Sequence, residues 1–139
     1  MKLWLLWLMV LSPAMAQGTV YKLKVTDWSC SVVGSRIVAK GKVLNQSGVP
    51  MRAVRVNLRV VDRVVSRVNG VANRTVRGTN SAPIAVRRLA NGASSAFVVA
   101  VKPTTLRNVT ANSKQSFACQ IWFRNPDSVQ IPTRVPDLD

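Results

Sequence analysis

The sequence predicts an all-β protein, a single antiparallel β-sandwich of about seven strands, and three observations carry this prediction. Val is the commonest residue, and β-branched side chains favour the pleated surface of a sheet over a helix. Apolar and polar residues alternate with a period of two in several short stretches. Turn signals rich in Asn, Gly and Pro separate these stretches at the spacing that is typical of a sandwich.

The stretches from which we predict strands extend over most of the chain. In order they are Tyr21–Val25, Arg36–Leu44, Ala53–Val60, the hairpin arms Val64–Val68 and Val71–Val76, Phe97–Val101 and Phe117–Phe123. Asn69-Gly70 separates the hairpin arms, and both residues accept the positive φ that a two-residue turn requires. In the last stretch Phe117, Cys119 and Ile121 share one face, which the alternation places in the core.

The segment from Arg52 to Arg67 has a competing interpretation. Its arginines recur every three or four residues, which is also the period of a cationic helix lying on a membrane or a nucleic acid. The same segment is rich in Val, lacks Glu and runs directly into Asn69-Gly70. These features favour a strand followed by a hairpin over the helix.

The N-terminal residues have the three parts of a secretory signal peptide. Lys2 carries the positive charge, Leu3–Leu11 is an unbroken apolar run, and Ala14–Ala16 gives small residues before a cleavage site. The run is too short to cross a hydrocarbon core of ~30 Å. We therefore expect residues 1–16 to be a signal peptide, residues 17–124 to form the sandwich and residues 125–139 to be an extended or flexible tail. The mature protein is then periplasmic or extracellular.

Export changes the interpretation of the two cysteines. Cys30 and Cys119 are the only cysteines, and in an oxidising compartment two cysteines of one small domain usually pair. The alternative is a redox-active or metal-binding thiol pair. The sequence offers neither a C-x-x-C spacing nor a neighbouring His, so we predict a structural disulfide.

The composition argues against catalysis. The 139 residues include 20 Lys+Arg, 5 acidic residues that are all Asp, and no His, and the formal charge is +15. Without His there is no imidazole base, no Ser-His-Asp triad and no His ligand for a metal. Two cysteines cannot provide a four-ligand zinc site, and no motif places a pair of carboxylates. We expect a non-enzymatic protein without a metal or another cofactor.

The positive charge points to an anionic partner. Between Gln17 and Arg124 the only acids are Asp27 and Asp62. The cations that we predict to bind an anion are Arg63, Arg67, Arg74, Arg77, Arg55, Arg59, Lys40 and Lys42. The hairpin Arg63–Arg77 is expected to be a main contributor. Candidate partners are an anionic polysaccharide, lipopolysaccharide or an anionic lipid surface, whereas the absence of nucleic-acid motifs does not favour specific nucleic-acid binding. The alternative is a solvated surface without a ligand.

A second class of function is a structural or assembly subunit that contacts a protein partner in the cell envelope. Trp122 has the opposite phase from Ile121 and Phe123, which predicts an outward side chain that could anchor a partner. Another possibility is that a loop or the tail covers it. The tail residues Val129, Ile131 and Val135 alternate weakly and could add a strand to a neighbour's sheet.

Three local patterns together resemble the FxLYD family of bacterial immunoglobulin-like domains. They are Val43-Leu44-Asn45-Gln46-Ser47-Gly48, Leu58-Arg59-Val60-Val61-Asp62, and Leu89-Ala90-Asn91-Gly92-Ala93-Ser94-Ser95-Ala96-Phe97. The resemblance covers roughly residues 20–124, and Leu58, Val60 and Val61 stand where the family has Phe, Leu and Tyr. It implies an exported, generally non-enzymatic immunoglobulin-like sandwich and says little about the ligand.

Overall fold

A computed structural model describes residues 20–63, 66–68, 71–73, 75–104 and 117–138. Its strands are β1 Leu23–Val33, β2 Arg36–Asn45, β3 Met51–Arg52, β4 Arg55–Asp62, β5 Ser66–Val68, β6 Val71–Asn73, β7 Val76–Pro83, β8 Arg88–Leu89, β9 Ser94–Val101, β10 Phe117–Arg124, β11 Gln130–Ile131 and β12 Thr133–Arg134. The predicted signal peptide lies outside the described residues. Within them, no helix has the length and apolarity that crossing a membrane requires.

Two four-stranded sheets form the sandwich. The first sheet has the order β12-β1-β2-β9 and the second has the order β11-β10-β4-β7. Every pairing in them is antiparallel except that of β1 with β12, which is parallel. The pairs β3–β8 and β5–β6 form two further small sheets. The predicted all-β sandwich is confirmed.

The alternation in the sequence explains which side chains fill the space between the sheets. Successive side chains of a strand point to opposite faces, so Val56, Leu58 and Val60 of β4 all turn inward and are fully buried. Phe97 of β9 meets Phe123 of β10 across the core, with ring centroids 5.4 Å apart in an edge-to-face arrangement. This geometry is the preferred one for aromatic pairs. The two sheets therefore share one apolar core.

A β-bulge in β1 decides where Cys30 points. Leu23 and Val25 face the core, so in an uninterrupted strand Cys30 would face outward. The pairing with β2 slips by one residue between Thr26 and Ser29, and Asp27 within this interval has φ 50°. The extra residue reverses the phase, so Trp28 and Cys30 pack against the core.

The disulfide between Cys30 and Cys119 is confirmed and joins β1 of the first sheet to β10 of the second. The Cα atoms are 6.5 Å apart, and 89 positions separate the two cysteines in the sequence. Neither cysteine is free. A disulfide of this kind persists in an oxidising compartment outside the cytoplasm.

The C-terminal segment pairs with the chain's own two sheets. Its strand β11 continues the second sheet beside β10, and β12 continues the first sheet beside β1. Ile131 is buried in the core, and the Trp28 indole N–H donates to the Pro136 carbonyl at 2.7 Å. The two short strands of this segment thus belong to the two sheets of the sandwich.

Between Arg55 and Asp62 the chain is a strand, so the helical interpretation of the arginine spacing is wrong there. The predicted hairpin is present in part as β5 and β6, with Val68 paired to Val71 across Asn69-Gly70. The strand β7 was not predicted. Its sequence does not alternate, and the strand exists because it pairs with β4 along most of its length.

Candidate anion-binding faces

The outward surface of the first sheet carries lysines, and we call it the lysine face. Lys24 on β1 and Lys40 and Lys42 on β2 are exposed, because their inward neighbours such as Val25 and Val43 fill the core. Asp27 lies on β1 between Thr26 and Ser29, which pair with Lys42 and Lys40 respectively. A carboxylate therefore lies among these cations.

The outward surface of the second sheet combines arginine with tryptophan. We call the side chains of Arg55 and Arg59 on β4 and of Trp122 and Arg124 on β10 the arginine–tryptophan face. Their strands alternate, so each points away from the buried residues of the same strand. The register of β4 with β10 places Arg55 opposite Arg124, Asn57 opposite Trp122, and Arg59 opposite Gln120.

Arg59 is held in place by two neighbours on β10. Its Nε donates to Gln120 Oε1 at 2.8 Å, and its guanidinium carbon lies 5.3 Å from the centroid of the Trp122 ring. A cation over an indole at this distance is an attractive arrangement. Because Nε and one face of the guanidinium are occupied, the two terminal nitrogens are left as donors of a fixed fork.

Arg55 and Arg124 form a pair of like charges directly across two strands. Such a pair weakens a sheet unless another group compensates it. Arg55 donates from Nη2 to Ser81 Oγ at 3.1 Å, which holds the side chain but adds no negative charge. The outward-phase positions of β4 and β10 carry no carboxylate; Asp62 ends β4 on the inward phase, and Asp127 lies in the turn after β10.

Asp62, the acid at the end of β4, forms an ion pair within the chain. Asp62 accepts two hydrogen bonds from Arg77 of β7, at 2.9 Å to Oδ1 and 2.8 Å to Oδ2. These bonds hold the pKa of the Asp62 carboxyl below its usual value and raise the pKa of the Arg77 guanidinium. The forked pairing neutralises Arg77 and makes Asp62 a poor candidate for a general base.

The structure distributes the predicted anion-binding residues over separate places. Lys40 and Lys42 lie on the lysine face, and Arg55 and Arg59 lie on the opposite side of the sandwich. Arg63 follows β4 and is exposed. The side chain of Arg67 on β5, and all of Arg74, lie outside the described residues. The contribution of the hairpin to binding stays a prediction.

Trp122 lies on the outward phase, as the alternation indicates, and it is half-buried. Sequence reasoning treated Trp122 and Arg59 as separate candidates and missed Arg124. The signal that unites them is the register of β4 with β10, which no local pattern contains. Once that register is known, all three residues fall on one face.

Two clefts lie next to each other at one end of the sandwich, and both are lined by Val54 and Pro126. One has a volume of about 420 Å³ and includes Lys22 and Arg52, and the other has about 400 Å³ and includes Arg55 and Arg87. No acidic residue lines either cleft. Arg55 belongs to both the second cleft and the arginine–tryptophan face, so the two cationic surfaces are continuous.

Asn45 has a structural role that the sequence did not reveal. Its side chain is fully buried, and its amide donates to the carbonyls of Val49 and Leu89 at 2.8 and 2.9 Å. Its Oδ1 accepts hydrogen bonds from the backbone N–H and the hydroxyl of Ser47. The first and third patterns of the resemblance described above therefore meet around one buried amide.

Among the described residues, no group of three His, Cys, Asp or Glu side chains could hold a metal ion. Their buried side-chain nitrogen and oxygen atoms all have hydrogen-bond partners.

No protein-family model and no curated protein matches the chain. A β-glucosidase from Kluyveromyces marxianus is similar in structure with a TM-score of 0.39 and 14% identity, over 83% of this chain and 13% of that one. The β-glucosidase DesR from Streptomyces venezuelae is similar with a TM-score of 0.36 and 12% identity, over 83% of this chain and 16% of that one. OgpA from Akkermansia muciniphila is similar with a TM-score of 0.36 and 17% identity, over 86% of this chain and 33% of that one. The chain thus spans a third or less of each, and no argument rests on these similarities.

Proposed function

We propose that the protein is an exported, non-enzymatic binding module, periplasmic or extracellular, that contacts an anionic polymer or surface component of the cell envelope. One observation carries the proposal: Arg55, Arg59 and Arg124 lie on the same face as an outward tryptophan, and the outward-phase positions of β4 and β10 hold no carboxylate. Cationic groups without a carboxylate beside them gain most from an external anion.

The charge balance of the whole chain supports the same function. With 20 Lys+Arg and 5 acidic residues, cations outnumber carboxylates four to one. A surface that only has to remain hydrated usually mixes both signs of charge. The uncompensated charge of this protein is better suited to a partner of opposite sign.

Arginine is the more suitable cation for this contact. Its planar guanidinium donates two parallel hydrogen bonds to a carboxylate, sulfate or phosphate, whereas a lysine ammonium acts as a hydrated point charge. The arginine–tryptophan face also holds Arg59 in a defined position before any ligand arrives. Pre-organisation lowers the entropy that is lost on binding. We therefore assign the main contact to this face.

Two variants with equal charge loss test the assignment. One carries Arg55→Gln, Arg59→Gln and Arg124→Gln, and the other carries Lys24→Gln, Lys40→Gln and Lys42→Gln. Retention on immobilised heparin, lipopolysaccharide and anionic vesicles is measured from about 50 mM to 1 M salt, because charge-driven binding weakens steeply as counterions compete. We expect the arginine variant to lose at least about tenfold in affinity and the lysine variant less than about threefold.

A third variant tests the hairpin, with Gln in place of Arg63, Arg67, Arg74 and Arg77. The sequence argument expects it to lose more affinity than the lysine variant. Losses that follow only the number of charges removed, which is three, three and four, would mean that only net charge matters. If the wild-type protein ignores every anionic surface at about 50 mM salt, the charge is a solvated surface. The assembly function, with Trp122 as its contact residue, would then be favoured.

A further inference from the structure

The two clefts that share Val54 and Pro126 have an apolar floor and a cationic rim. Val54, Ile84 and Ile131 are buried at the bottom of the clefts. Three exposed cations line the rim, namely Lys22, Arg52 and Arg87. The volumes of the clefts fall within the range of small-molecule sites, about 300–1,000 Å³. The clefts thus combine the two properties that an anion with an apolar part requires.

Much of the backbone in the cleft walls is already hydrogen-bonded or lacks a donor. Proline has no N–H, and the prolines that line the clefts are Pro50, Pro83, Pro126 and Pro132. The Ala53 N–H donates to the Arg87 carbonyl at 2.7 Å. The Ile84 N–H donates to the Val54 carbonyl at 3.1 Å. Because these groups pair with each other, they are not available to an extended peptide, whereas an aliphatic chain needs no such partner.

The walls are fixed by contacts within the chain. The turn that carries Pro126 is held by Asn125, whose Oδ1 accepts hydrogen bonds from the N–H groups of Asp127 and Val129 at 2.9 and 3.0 Å. Ala53, between β3 and β4, has φ 49°. A residue other than Gly adopts this conformation only where its surroundings impose it. Walls that are formed in advance lower the entropy that is lost on binding.

The charge around the clefts has one sign. Arg52 lies directly opposite Arg88 in the pairing of β3 with β8, and like charges in such a position weaken the pair. Asp127 is on the turn that carries Pro126, but it lines neither cleft. An anionic group beside Arg52 would therefore offset an unfavourable interaction.

We infer that the paired clefts bind a single anionic amphiphile, a molecule with one carboxylate or phosphate group and an aliphatic chain. The chain lies on the floor at Val54, and the anionic group lies at the rim that Arg52 and Arg87 form. Neither arginine belongs to the arginine–tryptophan face, so this site goes beyond the proposed function and does not depend on it.

Other occupants fit the clefts less well. None of the lining residues is aromatic, so a sugar ring or a nucleobase has no side chain on which to stack. Inorganic phosphate would leave the apolar floor in contact with water. A lipid within a bilayer keeps its chains inside the membrane. We therefore expect a dispersed amphiphile to fill the clefts.

The test is calorimetry of the mature protein with straight-chain carboxylates. The probes are acetate, butanoate, hexanoate and octanoate, each below the concentration at which it forms micelles, and 1-octanol as the uncharged equivalent of octanoate. Each methylene that becomes buried should raise the affinity by about threefold. Octanoate should bind about tenfold more tightly than octanol, because only octanoate can pair with the rim.

A negative charge within the first cleft should repel the ligand. Val129 lines that cleft and is 57% exposed, and Val33 at the far end of β1 is 59% exposed. Val129→Asp should lower the affinity for octanoate at least about tenfold. Val33→Asp introduces the same charge at a position of similar exposure and should leave the affinity within about twofold.

A second pair of variants removes charge instead of adding it. Arg52→Gln with Arg87→Gln should lower the affinity for octanoate to that of octanol. The control, Lys40→Gln with Lys42→Gln on the lysine face, loses the same charge and should keep the preference for octanoate. An intact disulfide and an unchanged thermal transition show that each variant is folded.

The outcomes separate this inference from the proposed function. An affinity that does not rise with chain length overturns the inference, and so does octanol that binds as tightly as octanoate. Octanoate binding that neither Val129→Asp nor the arginine variant weakens places the ligand elsewhere and overturns it too. A short peptide with aliphatic side chains that binds more tightly than octanoate would replace the amphiphile by a peptide. Retention on heparin tests the proposed function, and neither result decides the other.

Discussion

The two outward faces of the sandwich carry the same sign of charge but differ in what that charge can do. On the lysine face Lys40 and Lys42 end in strongly hydrated ammonium groups, and Asp27 lies on the neighbouring strand. On the arginine–tryptophan face the guanidinium of Arg59 is fixed by two neighbours, and no outward position of β4 or β10 is acidic. The two faces therefore share the sign of their charge and differ in how firmly their cations are positioned.

The disulfide connects the sheets that bear the two faces, and we expect its removal to have the largest effect on the free energy of unfolding. Replacing Cys30 and Cys119 with Ala opens a loop of 89 positions. On the loop-entropy model, unfolding should become easier by about 4–5 kcal/mol. Urea titration measures this, and a change below about 1 kcal/mol would contradict the role that we give to the crosslink.

A substitution in the core beneath both faces should have the next largest effect on stability. Phe97→Ala removes the partner of Phe123 from a closely packed interior, which should destabilise the fold by about 3–5 kcal/mol. The matched control is Val98→Ala, one position along the same strand and pointing outward, which should change stability by less than about 0.5 kcal/mol. Similar effects of the two substitutions would mean that the phase of β9 is wrong.

Loss of the ion pair between Asp62 and Arg77, in the second sheet, should have the smallest effect on stability. In the folded state the hydrogen bonds from Arg77 lower the pKa of the Asp62 carboxyl. The ion pair therefore stabilises the fold fully at pH values above the pKa of an unfolded Asp, which is about 3.9. This contribution disappears as the pH falls through the lower folded-state pKa. Asp62→Asn should therefore be less stable than wild type at neutral pH, and the difference should shrink in acid. Thermal melts from pH 7 to 2 measure this, and a constant difference would contradict it.

Much of the fold was accessible from the sequence because alternation is local. Val56, Leu58 and Val60 are apolar at every second position, and they are buried as that pattern predicts. The bulge at Asp27 was not accessible, because an extra residue in one strand is defined only against its partner. For the same reason the pairing of the C-terminal segment with both sheets left no local signal.

The candidate site was accessible only in parts. The outward phase of Arg55, Arg59 and Trp122 followed from alternation within each strand. Their meeting on one face, and the opposite position of Lys40 and Lys42, follow from the order of strands in the sheets. Two strands separated by more than fifty residues must pair before Arg59 reaches Trp122, so proximity could not be predicted from spacing.

The most direct test of the account is a map of backbone amide chemical shifts of the mature protein as a heparin oligosaccharide is added. The account predicts that the largest shifts fall on Arg55 to Arg59 of β4 and Gln120 to Arg124 of β10. Amides of Val38 to Lys42 on β2, under the lysine face, should move little. Shifts concentrated on β2, or spread evenly over both sheets, would contradict the claim that the arginine–tryptophan face is the binding surface.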